Sequence, residues 1–301
     1  MEIGQFEIKA DDNIRNLAEK ILGTGVILSM TRICERYGQE EAEFRQYDVY
    51  KIKTKNDTRI MKKASEREAS NYEKYLGDKN FNVPKYYGKY IEDKDIWIVL
   101  ENIEGEDLRD MTDEMARGAA ESISSIQNAY WNCSDKERFD VYIKRIEKRY
   151  AFIQNDNVIS KAYKIFLDRQ FVCPRTMSNG DLLQFNTVNQ NGKVYIIDWG
   201  FGGIMPYSLD IARFIAHATK DKATFPFYMN DVQKEIFIDG VYKHLNEKPD
   251  YNQYLLDIKL AMLNEYVEFI EADEDENRWY QEHANTLARE ILESKGWPVS
   301  R

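Results

Sequence analysis

No part of this sequence restricts the possible folds as strongly as the stretch from Ser178 to Gly203. It reads SNGDLLQFNTVNQNGKVYIIDWGFGG. Its central Asn-Gly pair favours the positive backbone dihedrals of a hairpin turn. The run at 194–197 is β-branched and aromatic, as strands are. The pattern therefore predicts a strand–turn–strand unit, with Asp181 in a Gly-Asp turn and Asp198 at the end of the last strand.

Three oxygen-bearing side chains of this stretch are suited to binding a metal and phosphate groups: Asp181, Asn186 and Asp198. Mg²⁺ prefers one or two protein oxygens together with water and substrate phosphates. The spacing Asp-x-x-x-x-Asn, followed by an aspartate at the end of an apolar strand, matches the phosphoryl-transfer pattern of kinase loops. Either half alone is also typical of an ordinary turn or strand end. The two halves in this order favour the functional interpretation.

The segments NGDLLQFN and YIIDWG resemble the catalytic core of the aminoglycoside phosphotransferase and choline kinase superfamily. Members of that superfamily have a protein-kinase-like fold and phosphorylate small molecules from a nucleoside triphosphate. The resemblance therefore implies a kinase that uses ATP or GTP together with Mg²⁺. The family motif begins with histidine, where this chain has Asn179. Because an asparagine side chain can also donate and accept hydrogen bonds, we expect the loop to keep its shape.

The resemblance also implies a role for each residue of the motif. Asp181 is implied as the general base or hydroxyl-orienting group, and Asn186 and Asp198 as the ligands of Mg²⁺. Asn179 is implied as structural support for the loop. Asp210, in the segment LDIA, resembles a family aspartate that braces the same loop. A role as an acid in the first turn of a helix is compatible with that assignment.

Two regions of different periodicity follow one another along the chain, and together they predict an α+β fold of two lobes. A short helix is predicted at Asp11 to Leu22, where Asp11 or Asp12 can cap it. Strand-like runs over the rest of the first hundred residues predict a mostly antiparallel sheet that carries one long helix, Ser65 to Leu76. Helical spacing dominates afterwards and predicts helices at 113–131, 136–155, 158–171, 209–217, 232–245, 252–272 and 278–294. We therefore expect a nucleotide-binding lobe over 1–103. A helical lobe over 104–301 is expected to hold the catalytic loop and the substrate pocket, as in protein kinases.

A lysine and a glutamate of the first lobe are implied to bind the nucleotide. In the superfamily a strand lysine holds the phosphates and a helix glutamate orients it, and Lys62 and Glu68 match these positions. Lys63 is the competing lysine, and strand alternation places the two on opposite faces. Lys62 is favoured because Ile60 is expected to share its inward face. Glu73 is the alternative glutamate, but it lies more than a turn later.

Two further segments are implied to contact the nucleotide through their backbone. The residues after the apolar strand IWIVL resemble a kinase hinge, in which the main chain of Glu101 and Ile103 would meet the adenine edge. The same letters also suit a plain strand-to-helix connection. The loop around Gly38 lacks the Gly-x-Gly-x-x-Gly pattern of protein kinases, and it is a weak phosphate-binding candidate.

The family places its acceptor substrate against late helices, where this chain is rich in acidic and aromatic residues. Four candidates are Glu265, Glu268, Trp279 and Tyr280. Carboxylates and aromatic rings suit a cationic or aminated molecule, through charge and cation–π attraction. The alternative is a solvated helix end, which is the more common role of such a run.

Composition excludes several other classes of protein. The net charge of −10 and the pI of about 5.1 argue against nucleic-acid binding. Cys34, Cys133 and Cys173 lie far apart and predict no disulfide framework. No segment approaches the ~18 apolar residues of a membrane span, and the acidic start lacks the pattern of a signal peptide. We therefore expect a cytoplasmic protein without a zinc site, in which His217 is a surface or packing residue.

Two other functions compete with the kinase hypothesis. Asn179 suggests a non-catalytic, nucleotide-binding or regulatory member of the same fold. An aspartyl phosphatase or hydrolase is more distant, because Asp198 is followed by Trp-Gly and not by the second aspartate that such enzymes need. Every reacting group of the kinase pattern is present, which favours the enzyme.

Overall fold

The computed structural model describes residues 5–36, 44–220, 226–275 and 277–294. Gly38, the weak phosphate-binding candidate, lies outside these ranges. The chain divides into two compact units, Met1–Glu104 and Gly105–Arg301. Unit 1 is built on a sheet, and unit 2 is mostly helical.

The sheet of unit 1 has the strand order β1-β2-β3-β4-β6-β5 over the described residues, and every neighbouring pair is antiparallel. The strands are β1 Gln5–Lys9, β2 Ile27–Arg36, β3 Phe44–Thr54, β4 Thr58–Ala64, β5 Tyr86–Glu92 and β6 Asp95–Glu101. The antiparallel sheet expected from the sequence is confirmed. The sequence did not predict strand β1 at the edge of the sheet, because a run of five residues is too short to stand out in the hydrophobic pattern.

Unit 1 carries two helices in its described part, and they agree with the short helix at Asp11 to Leu22 and the long helix at Ser65 to Leu76 that the sequence predicts. Helix α1 spans Asp12–Leu22 and is capped by Asp11. Helix α2 spans Glu66–Asn71, is capped by Ser65, and continues as a π-helical turn over Tyr72–Leu76. A sheet with apolar residues on both faces needs cover on both. The apolar face of α1 packs with Met61 in one core cluster, and α2 lies on the face of Lys62.

The helices of unit 2 agree with the sequence prediction to within two residues at every boundary. They are α3 Asp113–Tyr130, α4 Glu137–Ile153, α5 Ile159–Gln170, α6 Ser208–Ala216, α7 Asp231–His244, α8 Tyr251–Glu271 and α9 Trp279–Ser294. Their main apolar cluster joins α4, α5, α6, α8 and α9. Within the described ranges, no helix combines the length and the apolar composition needed to cross a bilayer.

Helix α8 runs through this core and carries buried polar side chains that each bind an arginine of another helix. The pairs are Asp257 with Arg169 of α5, Asn264 with Arg149 of α4, and Glu265 with Arg213 of α6. All three acceptors on α8 are at most 6% exposed. Buried charges are tolerated only when they are paired, so these contacts restrict how the helices can pack.

Short strands frame the stretch from Ser178 to Gly203 in unit 2. They are β7 Glu106–Asp107, β8 Arg175–Ser178, β9 Thr187–Gln190, β10 Lys193–Ile196 and β11 Gly203–Pro206. Strands β9 and β10 form the expected hairpin, and Asn191 and Gly192 at its turn have φ of 54° and 84°. Strands β8 and β11 pair antiparallel, with Ser178 opposite Gly203. The two ends of the stretch from Ser178 to Gly203 therefore meet.

The core of unit 2 offers a direct test of the packing. Ile146 is fully buried in α4, and Val141 is 54% exposed on the same helix. We expect Ile146→Ala to lower the free energy of unfolding by about 2–5 kcal/mol, because it leaves a cavity. Val141→Ala is the matched control and should change it by less than about 0.5 kcal/mol. Urea unfolding of the purified variants measures both, and equal effects would contradict the assignment of the core.

Candidate active site

The buried carboxylate of Asp210 holds the loop that carries Asp181 through hydrogen bonds. Oδ1 of Asp210 accepts hydrogen bonds from the Ser178 hydroxyl at 2.6 Å and from the Gly180 backbone N–H at 2.9 Å. Oδ2 accepts the backbone N–H of Asn179 at 2.6 Å. Burial raises the pKa of Asp210, although the three hydrogen bonds oppose that shift. Asp210 therefore anchors three consecutive residues of the loop to α6.

Asn179 joins the loop to the end of strand β10. Its side-chain amide donates to the backbone carbonyls of Ile197 and Asp198, at 3.1 and 3.0 Å. Its Oδ1 accepts the backbone N–H of Asp181 at 3.2 Å. The side chain is fully buried and uses both its donor and its acceptor capacity. Asparagine thus supplies at this position the hydrogen bonds that hold the loop.

Two backbone positions of the site require unusual conformations. Gly180 has φ of 77°, and a Cβ there would lie 2.4 Å from the backbone oxygen of Phe201. Asp198 has φ of 56°, in the left-handed region that a residue with a side chain rarely adopts. Its carbonyl is held by Asn179. A left-handed backbone at a residue with a side chain persists only where the surrounding contacts fix it.

Asn186 lies between the two aspartates. Its Nδ2 donates to the backbone oxygen of Asp181 at 2.8 Å and to the carboxylate Oδ2 of the same residue at 3.3 Å. Its backbone oxygen accepts the N–H of Ile197, the neighbour of Asp198, at 2.9 Å. The structure therefore brings Asp181 and Asn186 into direct contact and ties Asp198 to both through the backbone.

The donor set fits a magnesium ion that is completed by its substrate. Because Nδ2 of Asn186 is directed at Asp181, the Oδ1 atom is left as the ligand atom of that amide. One amide oxygen and the carboxylate of Asp198 are what Mg²⁺ takes from a protein when phosphates and water fill its other positions. Among the described residues, no cluster of three or more His, Cys, Asp or Glu side chains could hold a metal ion.

Arg213 contacts the catalytic candidate, and the sequence analysis did not identify it. Its Nη2 and Nε donate to Oδ1 of Asp181 at 2.7 and 3.2 Å, and its Nη1 donates to Glu265 at 2.7 Å. Burial opposes the charge of Arg213, but Glu265 and Asp181 outweigh it, and the net effect raises the pKa. Arg213 follows Asp210 by three residues on α6, so the two share a helix face. That spacing is the feature of the sequence from which Arg213 could have been predicted.

Polar contacts continue from Glu265 through His217 to Tyr280 of α9. His217 Nε2 lies 3.4 Å from Oε2 of Glu265, and His217 Nδ1 lies 3.1 Å from the hydroxyl of Tyr280. Burial opposes ionisation of Glu265, but Arg213 and His217 outweigh it and lower the pKa. His217 is 3% exposed. The histidine expected to be a surface or packing residue is therefore part of a polar chain that reaches Asp181.

The four candidate substrate residues are engaged within the protein. Glu265 is 6% and Tyr280 3% exposed, so both are buried in the polar chain. Glu268 pairs with Arg149 at 3.0 Å. The ring of Trp279 stacks on His283, with centroids 3.7 Å apart. Each of the two carboxylates is therefore paired with an arginine of another helix.

In unit 1 the structure brings together Lys62 and Glu68. Lys62 Nζ lies 2.8 Å from Oε1 of Glu68, and the two side chains are 18% and 4% exposed. Lys63 points to the opposite face and forms a solvent-exposed pair with Asp95. Glu73 binds Lys89. Of the alternative pairings considered from the sequence, the favoured one is therefore the one in contact.

The expected hinge at the end of β6 includes the backbone N–H groups of Glu101 and Ile103. The N–H of Glu101 donates to the backbone oxygen of Lys85, and the Glu101 carboxylate accepts the Lys85 N–H. The backbone N–H of Ile103 has no acceptor among the described residues. A main-chain donor of this kind is able to contact the edge of a nucleobase.

Solved structures of small-molecule kinases resemble this chain along most of its length. One is a protein from Haemophilus somnus 129PT provisionally named fructosamine-3-kinase, 13% identical, with a TM-score of 0.56 over 93% of this chain and 96% of that chain. A thermostable mutant of aminoglycoside phosphotransferase APH(4)-Ia, with ADP and hygromycin B, is 12% identical, with a TM-score of 0.51 over 91% and 97%. Aminoglycoside-3'-phosphotransferase of type VIII is 14% identical, with a TM-score of 0.52 over 84% and 99%.

No family model and no curated protein matches the sequence. At these low identities the likeness to solved structures shows the fold. The chain has the α+β, protein-kinase-like fold of these solved structures, and the fold class predicted from the sequence is confirmed.

The buried carboxylate of Glu265 predicts how acid affects stability. Its pKa lies below the usual 4.5 in the folded protein, so the ionised group stabilises the fold fully above pH 4.5, and this contribution is lost as the pH falls toward the lowered pKa. We expect Glu265→Gln to cost about 3 kcal/mol at neutral pH. The difference from the unmodified protein should shrink below pH 4.5.

Urea unfolding at a series of pH values measures this difference. Glu290→Gln is the control, because Glu290 forms a half-exposed pair with Lys259 and should change stability by less than about 1 kcal/mol. A cost of Glu265→Gln that stays constant down to the acid transition would contradict the assignment of an ionised, buried Glu265.

Proposed function

We propose that this protein is a kinase that transfers the γ-phosphoryl group of ATP to a hydroxyl group of a small molecule. The observation that supports this most strongly is the loop of unit 2. There Asn179 and Asp210 hold Asp181, Asn186 and the strand end at Asp198 in one hydrogen-bonded assembly. Phosphoryl transfer asks little covalent chemistry of a protein, and such an assembly supplies the positioning that the reaction needs.

In the proposed reaction the hydroxyl oxygen of the acceptor forms a bond to the γ-phosphorus. The bond between that phosphorus and the β–γ bridging oxygen breaks, and ADP leaves. Asp181 orients the hydroxyl and accepts its proton. Asn186 and Asp198 hold Mg²⁺, which when bound neutralises charge on the phosphate oxygens.

Residues of unit 1 are proposed to bind the nucleotide. Lys62 supplies a positive charge for phosphate oxygens, and Glu68 fixes the lysine side chain at 2.8 Å. The main chain of Glu101 and Ile103 is proposed to contact adenine, which the donor left at Ile103 supports. The kinase pattern assigns these residues of unit 1 to the nucleotide. Use of GTP instead is an outcome that the assay below distinguishes.

The acceptor is proposed to be a small hydroxylated molecule. Similar structures include phosphotransferases, and the one solved with ADP also contains hygromycin B. A requirement for a cationic acceptor finds no support in Glu265 and Glu268, because both are paired with arginine. The acidic net charge argues against a nucleic-acid substrate.

The protein is proposed to work in a reducing compartment such as the cytoplasm. Cys34, Cys133 and Cys173 are all free thiols. Disulfides are rare in cytosolic proteins, where thiols are kept reduced. The free thiols are compatible with that compartment.

The non-catalytic alternative rests on Asn179 in place of the family histidine. Asn179 makes hydrogen bonds to both sides of the loop. The groups proposed to react are Asp181, Asn186 and Asp198, and all three are present. No observation of the structure favours the alternative over the enzyme, and we propose the enzyme.

The central prediction concerns the two aspartates. Purified protein with MgATP or MgGTP and a panel of aminoglycosides, choline, ethanolamine and sugars should release nucleoside diphosphate in the presence of one acceptor. Asp181→Asn and Asp198→Asn should each lower kcat by about 10²-fold or more, because they remove the proton acceptor and a metal ligand. Asp168→Asn is the control, since Asp168 forms only an exposed pair with Lys164. Full activity of either active-site variant would refute the proposal.

The paired lysines of β4 provide a second test. Lys62→Ala should weaken MgATP binding or lower kcat/KM for MgATP by about 10- to 100-fold, because a charge-assisted contact with phosphate is lost. Lys63→Ala removes the same charge from the next residue, on the exposed face, and should leave both quantities unchanged. Calorimetric titration with MgATP and steady-state kinetics measure them. A larger effect at Lys63 would reverse the assignment.

A further inference from the structure

The carboxylate of Asp181 is held asymmetrically. Its Oδ1 accepts two hydrogen bonds from Arg213, at 2.7 and 3.2 Å. Its Oδ2 accepts one longer hydrogen bond, at 3.3 Å, from Asn186. One oxygen is therefore occupied by the guanidinium. The other is the oxygen with remaining capacity to accept a hydroxyl proton.

Arg213 is itself fixed from a second side. Its Nη1 donates to Glu265 at 2.7 Å, and Glu265 also lies 3.4 Å from His217. The side chains of Arg213, Glu265 and Asp181 are 18%, 8% and 22% exposed. A guanidinium is planar and rigid, so contacts on two of its edges determine its plane. That plane in turn determines where Oδ1 of Asp181 lies.

Orientation is what the proposed chemistry requires of this carboxylate. The transition state of phosphoryl transfer is loose, and the residue at this position mainly aims the acceptor hydroxyl at phosphorus. A displacement of about 1 Å at a reacting centre can cost about 10²-fold in rate. A carboxylate free to rotate would present either oxygen, in many directions.

We propose that Arg213 is a positioning residue. It fixes Asp181 so that Oδ2 meets the acceptor hydroxyl, and Glu265 holds Arg213 in place. This inference rests on the proposed kinase function and adds to it a residue that the kinase pattern of the sequence does not contain. It also assigns the buried Glu265 to support of the catalytic aspartate, in place of direct contact with substrate.

Arg213→Ala tests the proposal, with MgATP and either the acceptor found in the panel or water as the acceptor. We expect kcat per folded molecule to fall by about 10²-fold, with KM for MgATP unchanged, because Arg213 is not assigned to the nucleotide. Millimolar guanidinium chloride should restore at least a tenth of the lost kcat by occupying the vacated position. Arg213→Lys should recover less than guanidinium, since an ammonium group is a single point charge that lacks the planar fork.

Arg169→Ala is the matched control. The Arg169 side chain is 20% exposed and donates two hydrogen bonds to the buried Asp257. Removal of this arginine should lower thermal stability, while kcat per folded molecule stays unchanged and guanidinium has no effect on it. If Arg213→Ala does not fold, kcat and KM of Arg213→Lys are compared with those of the unmodified protein in its place.

The outcomes distinguish failure of the kinase function from failure of the positioning role of Arg213. Unmodified protein that shows no turnover dependent on Asp181 and Asp198 overturns the kinase function, and this inference with it. Turnover in the unmodified protein that persists at full kcat in Arg213→Ala overturns the positioning role alone. A loss of kcat equal to the lost fraction of folded protein, with no rescue, also overturns it, because a merely structural arginine would give that result. Selective loss of kcat with guanidinium rescue supports it.

Discussion

The buried carboxylate of Asp210 is the contact on which the candidate site depends. It accepts hydrogen bonds from the hydroxyl of Ser178 and from the backbone of Asn179 and Gly180. Each of these donors would cost about 1–3 kcal/mol if it were buried without a partner. The loop before Asp181 therefore has one favourable position, set by α6. Asn179 extends the constraint to the end of β10, so that Asp198 keeps its left-handed backbone.

Paired charges within the helical unit connect this loop to the core. Helix α8 presents Asp257, Asn264 and Glu265, and each binds an arginine from a different helix. A buried pair contributes little net stability, but the loss of one partner is costly, so such pairs favour one packing arrangement over others. The pair of Glu265 with Arg213 differs from the other two because Arg213 also contacts Asp181. A contact that orders the core thereby reaches the residue proposed to react.

The acidic residues of the late helices pair with arginines in the folded protein. Glu265 and Glu268 suggested a site for a cationic substrate, but arginines of α6 and α4 occupy both. Both arginines lie in other helices, far along the sequence from the glutamates with which they pair. Linear charge patterns report composition, and only packing decides which charges face a ligand and which neutralise one another.

The sequence by itself determined the elements that local chemistry specifies. Hydrophobic spacing placed the helices of unit 2, the Asn191-Gly192 pair placed the hairpin, and the motif residues identified the loop and the protein-kinase-like fold. It missed short strands such as β1 and β8, which are too brief for periodicity to register. The tertiary structure alone decided the contacts between distant segments. These include Glu268 with Arg149 and the arginine between Asp181 and Glu265. Spacing along one helix could mark Arg213 as a neighbour of Asp210, but its partners are set by which helices meet, and a linear pattern does not contain that information.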